Sequence, residues 1–398
     1  MKIRSVFGYL ILAIFLSGCS SKPKHTPVPE YLQSDARVFN NNNIRYWGDV
    51  EDGIFELYAY QNNLRWHPGK EYNFLAISGG GGNGAFSSGI LNAWSDSEER
   101  PEFDTVTGIS TGAIVAVFAY LGLEYDHVLT DLYTKTEDKD IFNAHNIFSI
   151  LNKSSLLDTA PLQDKVRETL TPEILKKVAQ EYQKGRLLLV GSTHLDSQRL
   201  SIWNLGEIAM IGTEVSEKLF EDIILASAAI PGLFPPVQVD IEINGQTYQE
   251  LHVDGGVTRQ VFCFNDAVTF EGDWTPDTGE RENANVYVIT NGEFLPQWST
   301  SKHSLSYVVE RSIYTLMKYQ GRSDVLRIYE KATAANMNFH FAFVDESLNK
   351  KESKDKLFDS EFMQSLYHFG YSLMLSDMLW HNKPPGFNTI TPFRDLRF

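Results

Sequence analysis

Apolar and polar positions follow two different periods along most of the chain. Four continuous apolar runs have the length and composition of strands buried on both faces. They are NFLAIS (73–78), DTVTGIS (104–110), RLLLVGSTHL (186–195) and NVYVIT (285–290). Segments of helical period follow the first two runs, and a third at 215–230 is stopped by Pro231. Strands that alternate with helices predict an α/β domain with a mostly parallel central sheet, covered by helices on both faces.

The same alternation continues toward the C-terminus. Residues 302–320 and 359–382 are helical in pattern, and MNFHFAFV between them is typical of a strand. No linker is evident after residue 70, so we expect one catalytic domain over residues 71–398. Ahead of it we expect a leader at 1–18 and, at 19–70, a tether and extension. Residues 20–35 of that extension are polar and contain three prolines.

The first 19 residues, MKIRSVFGYLILAIFLSGC, have the composition of a secretory signal. Lys2 and Arg4 precede an apolar run from Val6 to Leu16, which is too short to span a bilayer as a helix. The ending Leu-Ser-Gly-Cys resembles a bacterial lipobox, which implies cleavage before Cys19 and lipidation of its thiol. Ser20 resembles the pattern that directs such lipoproteins to the outer membrane, on its periplasmic side. The alternative is an unlipidated secretory signal with an accidental cysteine.

The acidic charge of the chain restricts its partners. The formal charge is −16, and removing Lys2 and Arg4 with the leader would make it −18. Such a chain repels phosphate backbones, which argues against nucleic acid, and charge alone would not hold it on an anionic lipid face. Membrane contact must come from apolar groups or a covalent anchor at Cys19. With two cysteines and ten scattered histidines, no zinc-type spacing is found, and no metal or other cofactor is implied.

The first apolar run leads directly into a glycine-rich turn, Gly79-Gly80-Gly81-Gly82-Asn83-Gly84. This turn satisfies the G-x-G-x-x-G pattern of dinucleotide folds, and Asp104 stands about where their ribose-binding acid would be. The amides at a helix N-terminus bind any anionic oxygen equally well. No lysine follows Gly84, so the turn is not a P-loop. Alone it predicts an anion hole.

Two further motifs also follow strands. Gly108-x-Ser110-x-Gly112 lies between a strand and a helix, which favours a nucleophile elbow over a turn in which serine only caps the helix. Asp254-Gly255-Gly256 ends another apolar segment and, by itself, is typical of an ordinary Asx-turn.

Taken in order, the glycine-rich turn, G-x-S-x-G and D-G-G resemble the patatin-like phospholipases, as does ASAAIPGLFPPV (226–237). The resemblance covers roughly residues 70 to 260. It implies a patatin-like three-layer fold and a Ser-Asp dyad without a catalytic histidine. Ser110 would be the nucleophile and Asp254 the base, with an oxyanion hole from the amides of Gly80, Gly81 and Gly82. The family often has arginine or lysine where this chain has Asn83, which puts head-group preference in doubt.

The histidines leave an alternative to the dyad. His252 lies two residues before Asp254 and would face the same way on a strand, either as a group behind the aspartate or as a structural residue. We favour a structural role for His252 and for His194. His303, His340, His368 and His381 could each complete a Ser, Asp, His order, although none has a local signature.

We therefore predict an exported, lipid-anchored serine acyl hydrolase that cleaves carboxylic esters of lipids or phospholipids. Leu233 and Phe234 are candidates for lining an acyl channel. Two other functions remain open. A catalytically silent patatin-fold lipoprotein would serve as a binding or scaffold protein, and a dinucleotide-binding protein would use only the glycine-rich turn. The sequence leaves the protein partners of the chain open.

Overall fold

The computed structural model describes residues 25–50, 53, 57, 70–144, 154–267, 284–345, 348 and 356–386. The predicted leader, Cys19 and the start of the tether lie outside these residues. The strands are β1 (Arg45–Trp47), β2 (Tyr72–Ile77), β3 (Thr105–Ile109), β4 (Asn143–Ala144), β5 (Leu157–Asp158), β6 (Leu187–His194), β7 (Arg199–Asn204), β8 (Val237–Ile243), β9 (Gln246–Asp254), β10 (Ala284–Glu293) and β11 (Asn338–Val344).

The α-helices in the described parts of the chain lie between these strands. They are α1 (Gly84–Asp96), α2 (Thr111–Leu121), α3 (Asp126–Thr134), α4 (Ala160–Thr169), α5 (Pro172–Gln183), α6 (Leu205–Ile211), α7 (Glu214–Ser227), α8 (Leu305–Ala334) and α9 (Ser360–Leu375). Short 3-10 turns include Gly81–Asn83 and Gly255–Val257.

A parallel sheet forms the centre of the molecule. Its strands lie in the order β6-β3-β2-β10-β11, and every neighbouring pair in this set is parallel. Side chains of β2 alternate between two cores, because successive residues of a strand point to opposite faces. Phe74 packs with Val325 and Ile328 of α8, whereas Leu75 and Ile77 belong to the core formed with α1, α2 and α9. Helices thus cover both faces, and the predicted fold class is confirmed.

An antiparallel extension lies beside β6, which the sequence pattern did not predict. β7 and β9 both pair antiparallel with β6, while β1 pairs with β7 and β8 pairs with β9. The described chain from residue 25 to 50 packs on this side: Val28 and Ile44 are buried in the main core, and the Thr26 amide donates to Gln249 at 2.8 Å.

The predicted elements are found, with different ends. α7 ends at Ser227, four residues before Pro231, and α9 ends at Leu375 instead of near 382. α8 continues fourteen residues beyond the predicted end at 320. In the described part of the chain, no helix is both long enough and apolar enough to cross a membrane.

Candidate active site

Ser110 lies at a sharp turn between β3 and α2. Its backbone has φ +55° and ψ −127°, a left-handed conformation that is costly for a residue with a side chain. The flanking glycines allow the turn because helix and strand approach closely there. A Cβ on Gly108 would lie 2.3 Å from the carbonyl oxygen of Gly112, and one on Gly112 would lie 2.4 Å from that of Ile77. The turn therefore has the geometry of a nucleophile elbow.

A serine of α7 fixes the position of the Ser110 backbone. The Ser110 amide donates to the Ser227 hydroxyl at 2.9 Å, and that hydroxyl donates to the Gly191 carbonyl of β6 at 2.7 Å. Ser110 also precedes the N-terminus of α2, where the helix dipole favours negative charge on its oxygen. Ser227 was not singled out in the sequence, where it is one serine in a helical segment.

The pairing of β6 brings Asp254 beside Ser110. Gly191 of β6 is opposite Ile109 of β3, and the next residue, Ser192, is opposite Asp254 of β9. β9 thus pairs with β6 just beyond the end of β3, where the chain turns through Ser110. Two residues 144 positions apart in the sequence are adjacent for this reason.

The Asp254 carboxyl group is buried without a cation among its described partners. Burial raises the pKa of Asp254 to about 6, and hydrogen bonds from the Ser110 hydroxyl and the Gly256 amide partly offset the shift. The Gly256 amide donates to its Oδ1 at 2.7 Å. Such a carboxylate is a much better proton acceptor near neutral pH than an exposed aspartate.

The glycine-rich turn lies against Ser110. A Cβ on Gly79 would be 3.1 Å from the Ser110 Cβ, and the Gly79 amide donates to the Gln260 carbonyl at 3.1 Å. Gly80 has φ +151°, and a Cβ there would lie 2.9 Å from Asn291. Gly81 and Gly82 begin the 3-10 turn, whose first amides have no acceptor within the turn. The turn thus presents backbone donors beside the serine, as an anion hole requires.

Asn291 holds this turn in place, and the sequence analysis did not identify it. Its Nδ2 donates to the Ser78 carbonyl at 2.9 Å, while its Oδ1 accepts from the Ser87 amide at 3.1 Å. The Ser78 hydroxyl accepts from the Asn291 amide and donates to the Gly79 carbonyl. One buried amide side chain therefore joins the end of β10 to the glycine-rich turn and to α1. In the sequence, Asn291 is distinguished only by its position directly after the apolar run 285–290.

An apolar cavity opens beside Ser110. Thr111, Ile114 and Phe118 of α2 line it about one helical turn apart, over about 10 Å of the helix axis. Leu162 and Val166 of α4 are also part of its wall. The cavity has the lining typical of a site for a largely apolar ligand.

The two predicted channel residues have different positions. Phe234 lines this cavity, whereas Leu233 is partly buried against the main core. Lys165 is the charged member of the described lining.

Comparison with known proteins agrees with the motifs. The sequence model of the patatin-like phospholipases matches residues 75–263. This part of the chain belongs to that family. The match begins in β2 and ends after the turn that follows Asp254, so it contains all three motifs. The assignment supports a function in lipid hydrolysis, and the predicted family resemblance is confirmed.

Two solved structures show distant similarity to this chain. VipD from Legionella pneumophila is 12% identical with a TM-score of 0.31, over 77% of this chain and 67% of VipD. The type III effector ExoU, known from Pseudomonas aeruginosa, is 12% identical with a TM-score of 0.34, over 78% of this chain and 54% of ExoU. The chain thus spans about two thirds and about half of these proteins. No curated relative matches it.

His194 of β6 lies together with His252 and Glu250 of β9 in a buried cluster. The His252 Nε2 is 3.4 Å and the His194 Nε2 is 3.6 Å from the Glu250 carboxylate, which also pairs with Arg45. The described partners of the Asp254 carboxylate are Ser110 and Gly256, so neither histidine bonds to the candidate base.

The three side chains could in principle enclose a metal ion, because their ligand atoms lie within 4.8 Å of one another. Their hydrogen bonds favour another state. The Ser197 amide donates to the His194 Nδ1, so the hydrogen of this neutral ring is on Nε2 and faces Glu250. Since Arg45 already neutralises the carboxylate, we interpret the cluster as structural.

The remaining candidate histidines are placed elsewhere. His340 of β11 stacks on Tyr287 with a ring separation of 4.6 Å, and the His381 backbone pairs with Phe341 of the same strand. His368 lies on α9, and His303 lies in an exposed position just before α8.

Asp104 does not fit the role of a ribose ligand. It precedes β3, at the opposite end of the parallel strands from the glycine-rich turn that follows β2. Its carboxylate pairs with Lys70 at 2.7 Å and accepts from the Asn73 amide at 2.8 Å. Asp104 therefore has a structural role in the core. Without it as a ribose ligand, the dinucleotide-binding alternative loses support.

Asn83 is half-exposed at the start of α1. Its amide donates to the Gly80 carbonyl at 3.0 Å, which closes the 3-10 turn, and its side chain does not cap the helix. The position that is often basic in the family is thus occupied by a neutral side chain.

Proposed function

We propose that this chain hydrolyses carboxylic esters of lipids with Ser110 as nucleophile and Asp254 as general base. The observation that carries the proposal is the contact between a serine on a strained elbow and a buried carboxylate whose pKa is raised to about 6. A nucleophilic serine needs an adjacent group that accepts its proton near the working pH.

The reaction has two steps in this proposal. The Ser110 Oγ attacks the ester carbonyl carbon while Asp254 takes the hydroxyl proton. When the tetrahedral intermediate collapses, the C–O bond to the alcohol breaks, and the leaving alkoxide receives that proton from Asp254. Water then attacks the acyl-serine with Asp254 again as base, which releases the carboxylic acid and restores Ser110.

The amides of Gly80, Gly81 and Gly82 stabilise the oxyanion in both steps. One such donor typically contributes about 10²–10³ in rate. The apolar cavity takes the acyl chain. An extended chain advances about 1.2 Å per bond, so the 10 Å of cavity wall along α2 accommodates about eight bonds of it. This length favours acyl chains of medium size over short ones.

We also propose that the protein is exported and anchored to a bacterial outer membrane through lipidated Cys19. Support comes from the signal-like leader and the lipobox-like ending before Cys19. Stable attachment generally needs more than one lipid chain, which this kind of processing implies. Cys19→Ser should yield a precursor-length or detached protein, and a mature-length variant that remains anchored like the wild type would contradict the assignment.

Labelling with a fluorophosphonate tests the catalytic proposal, because only an activated serine reacts. We expect the wild type and Ser372→Ala, a control at an exposed serine of α9, to be labelled. Ser110→Ala should be unlabelled and should not hydrolyse lipid esters. An unlabelled, inactive wild type would instead support the scaffold alternative.

A further inference from the structure

The first half of α8 exposes an apolar face. Leu305 is 82% exposed and Leu316 is 71% exposed, and four further apolar residues share their side of the helix. These are Val308, Val309, Ile313 and Met317. Their spacing of three and four residues produces one continuous stripe, because such residues are neighbours on a helix surface. We call these six residues the α8 stripe.

The opposite side of the same half-helix binds the protein through polar groups. The Lys318 Nζ lies 3.3 Å from the Glu293 carboxylate, and Tyr314 donates to that carboxylate at 2.9 Å. Arg311 and Arg322 donate to backbone carbonyls of the segment after β10. A helix on a globular protein normally has its apolar side inward. Here the polar side faces the protein and the apolar side faces outward.

The second half of α8 has the usual orientation. Val325, Ile328 and Ala332 are buried against the sheet. The helix is therefore well anchored, and the outward stripe is not the consequence of a detached end. An exposed apolar surface of this kind marks a site for a partner or a membrane.

Local charge favours an anionic partner. Residues 293–322 contain Lys302, Arg311, Lys318 and Arg322 against Glu293 and Glu310, a net charge of +2 in a chain of −16. Two copies meeting symmetrically through this face would bring like charges together, which disfavours self-association. A lipid surface with anionic head groups matches both the apolar stripe and the positive charge.

Exposed aromatic residues in α8 and in the segment before it fit a membrane interface. Trp298, just before α8, is 91% exposed, and Tyr319 is also exposed. Tryptophan and tyrosine are enriched where membrane proteins meet the head-group region.

The stripe is continuous with the candidate active site. The Gln320 Nε2 donates to the Val257 carbonyl, and its Oε1 accepts from Gln260 at 3.3 Å. Gln260 in turn donates to the Gly256 carbonyl and accepts from the Gly79 amide. Val257, directly after the D-G-G motif, is itself exposed. One hydrogen-bonded path therefore connects α8 to both glycine turns at the catalytic pair.

We propose that the α8 stripe, with Trp298 and Val257, is a membrane-docking surface that binds anionic lipid bilayers and seats the active site on its substrate. The inference rests on the proposed lipid hydrolase for its orientation, but the docking itself needs no turnover. Through this surface, the acidic chain would bind a membrane independently of Cys19.

Flotation with vesicles tests this surface in the chain from residue 20 onward, which retains every described residue and lacks Cys19. We expect binding to vesicles of phosphatidylcholine mixed with phosphatidylglycerol, weaker binding to phosphatidylcholine alone, and weakening by salt. Leu305→Asp with Leu316→Asp should reduce vesicle binding about tenfold or more. The matched control is Leu123→Asp, since Leu123 is 74% exposed in the turn that follows α2.

Three results would overturn the docking surface. They are failure of the unsubstituted chain to float, equal flotation of the double variant and the control, and a solution dimer that the double variant dissociates. Hydrolysis of a dispersed ester with a medium-length acyl chain, measured on the same samples without vesicles, reports the catalytic proposal separately. An inactive chain that floats as expected would refute the hydrolase and retain the docking surface.

Discussion

Two buried carboxylates on β9, Glu250 and Asp254, lie four residues apart and face the same side of the strand. Burial favours the protonated form of both. For Glu250 this effect is outweighed by Arg45, His252 and His194, which lower its pKa to about 2. For Asp254 burial prevails over two hydrogen bonds, and its pKa rises to about 6. The same strand thus holds one permanent anion and one titratable group.

The difference shows what separates a structural carboxylate from a potential base. Arg45 is contributed by β1, from the N-terminal segment that packs beside the sheet. With this cation, Glu250 is stabilised as an ion and has little capacity to accept a proton. The described groups around Asp254 are a hydroxyl and an amide, so its charge is tolerated but not neutralised. Proton transfer requires this second environment.

The largest effect is expected for Asp254→Asn. Turnover should fall about 10⁴-fold, because the base is lost while its shape and its hydrogen bond from Gly256 remain. Since the raised pKa of Asp254 means that its ionised form destabilises the fold at pH 7, the variant should unfold at an equal or higher temperature. Ester turnover and thermal unfolding at pH 7 measure the two effects. A folded, fully active Asp254→Asn would refute the assignment of the base.

The reverse pattern is expected for Glu250→Gln. Arg45 would be left as an unpaired buried charge, which typically costs about 3–5 kcal/mol in the free energy of unfolding. Molecules that remain folded should keep their reactivity toward a fluorophosphonate. Denaturant unfolding, compared with Glu242→Gln at an exposed position on β8, provides the measurement. Unchanged stability would show that the Glu250 ion pair is dispensable, and our comparison would fail.

The pH dependence should separate the two carboxylates without any substitution. Asp254 must be ionised to act as base, so kcat/KM should fall about tenfold per pH unit below its pKa of about 6. Glu250 has a lowered pKa, so its stabilising contribution is present above the ordinary value of 4.5 and is lost as the pH falls toward 2. Between about pH 6 and 4.5 the protein should be folded and increasingly inactive. Activity profiles and circular dichroism over that range test this, and simultaneous loss of both would contradict it.

The smallest effect on turnover is expected for His194→Gln and His252→Gln. Each change removes an interaction with Glu250 and should cost about 1–3 kcal/mol of stability, with the acid limb of the activity profile unmoved. His127→Gln, at an exposed position on α3, is the control. A single histidine whose loss silences a folded enzyme would establish a triad in place of the dyad.

Much of the fold was predictable because its signals are local. Continuous apolar runs and segments of helical period identified the parallel strands and the helices that follow them. Gly108 and Gly112 marked the elbow at Ser110, since only glycine permits such close approach of strand and helix. The predicted ends of the helices were less accurate, as the early end of α7 shows. The last turns of a helix depend on what packs against them.

The sequence by itself determined the order of the motifs, the chemistry available at Ser110 and Asp254, and the apolar period of residues 302–320. Tertiary structure decided how these groups are used. Asn291 and Gln260 support the glycine turns from distant parts of the chain, and Arg45 fixes the charge of Glu250 across 205 positions. The period of α8 could not tell which face meets the protein. Burial and the distance between charges are properties of the folded chain, because they depend on neighbours that no local pattern specifies.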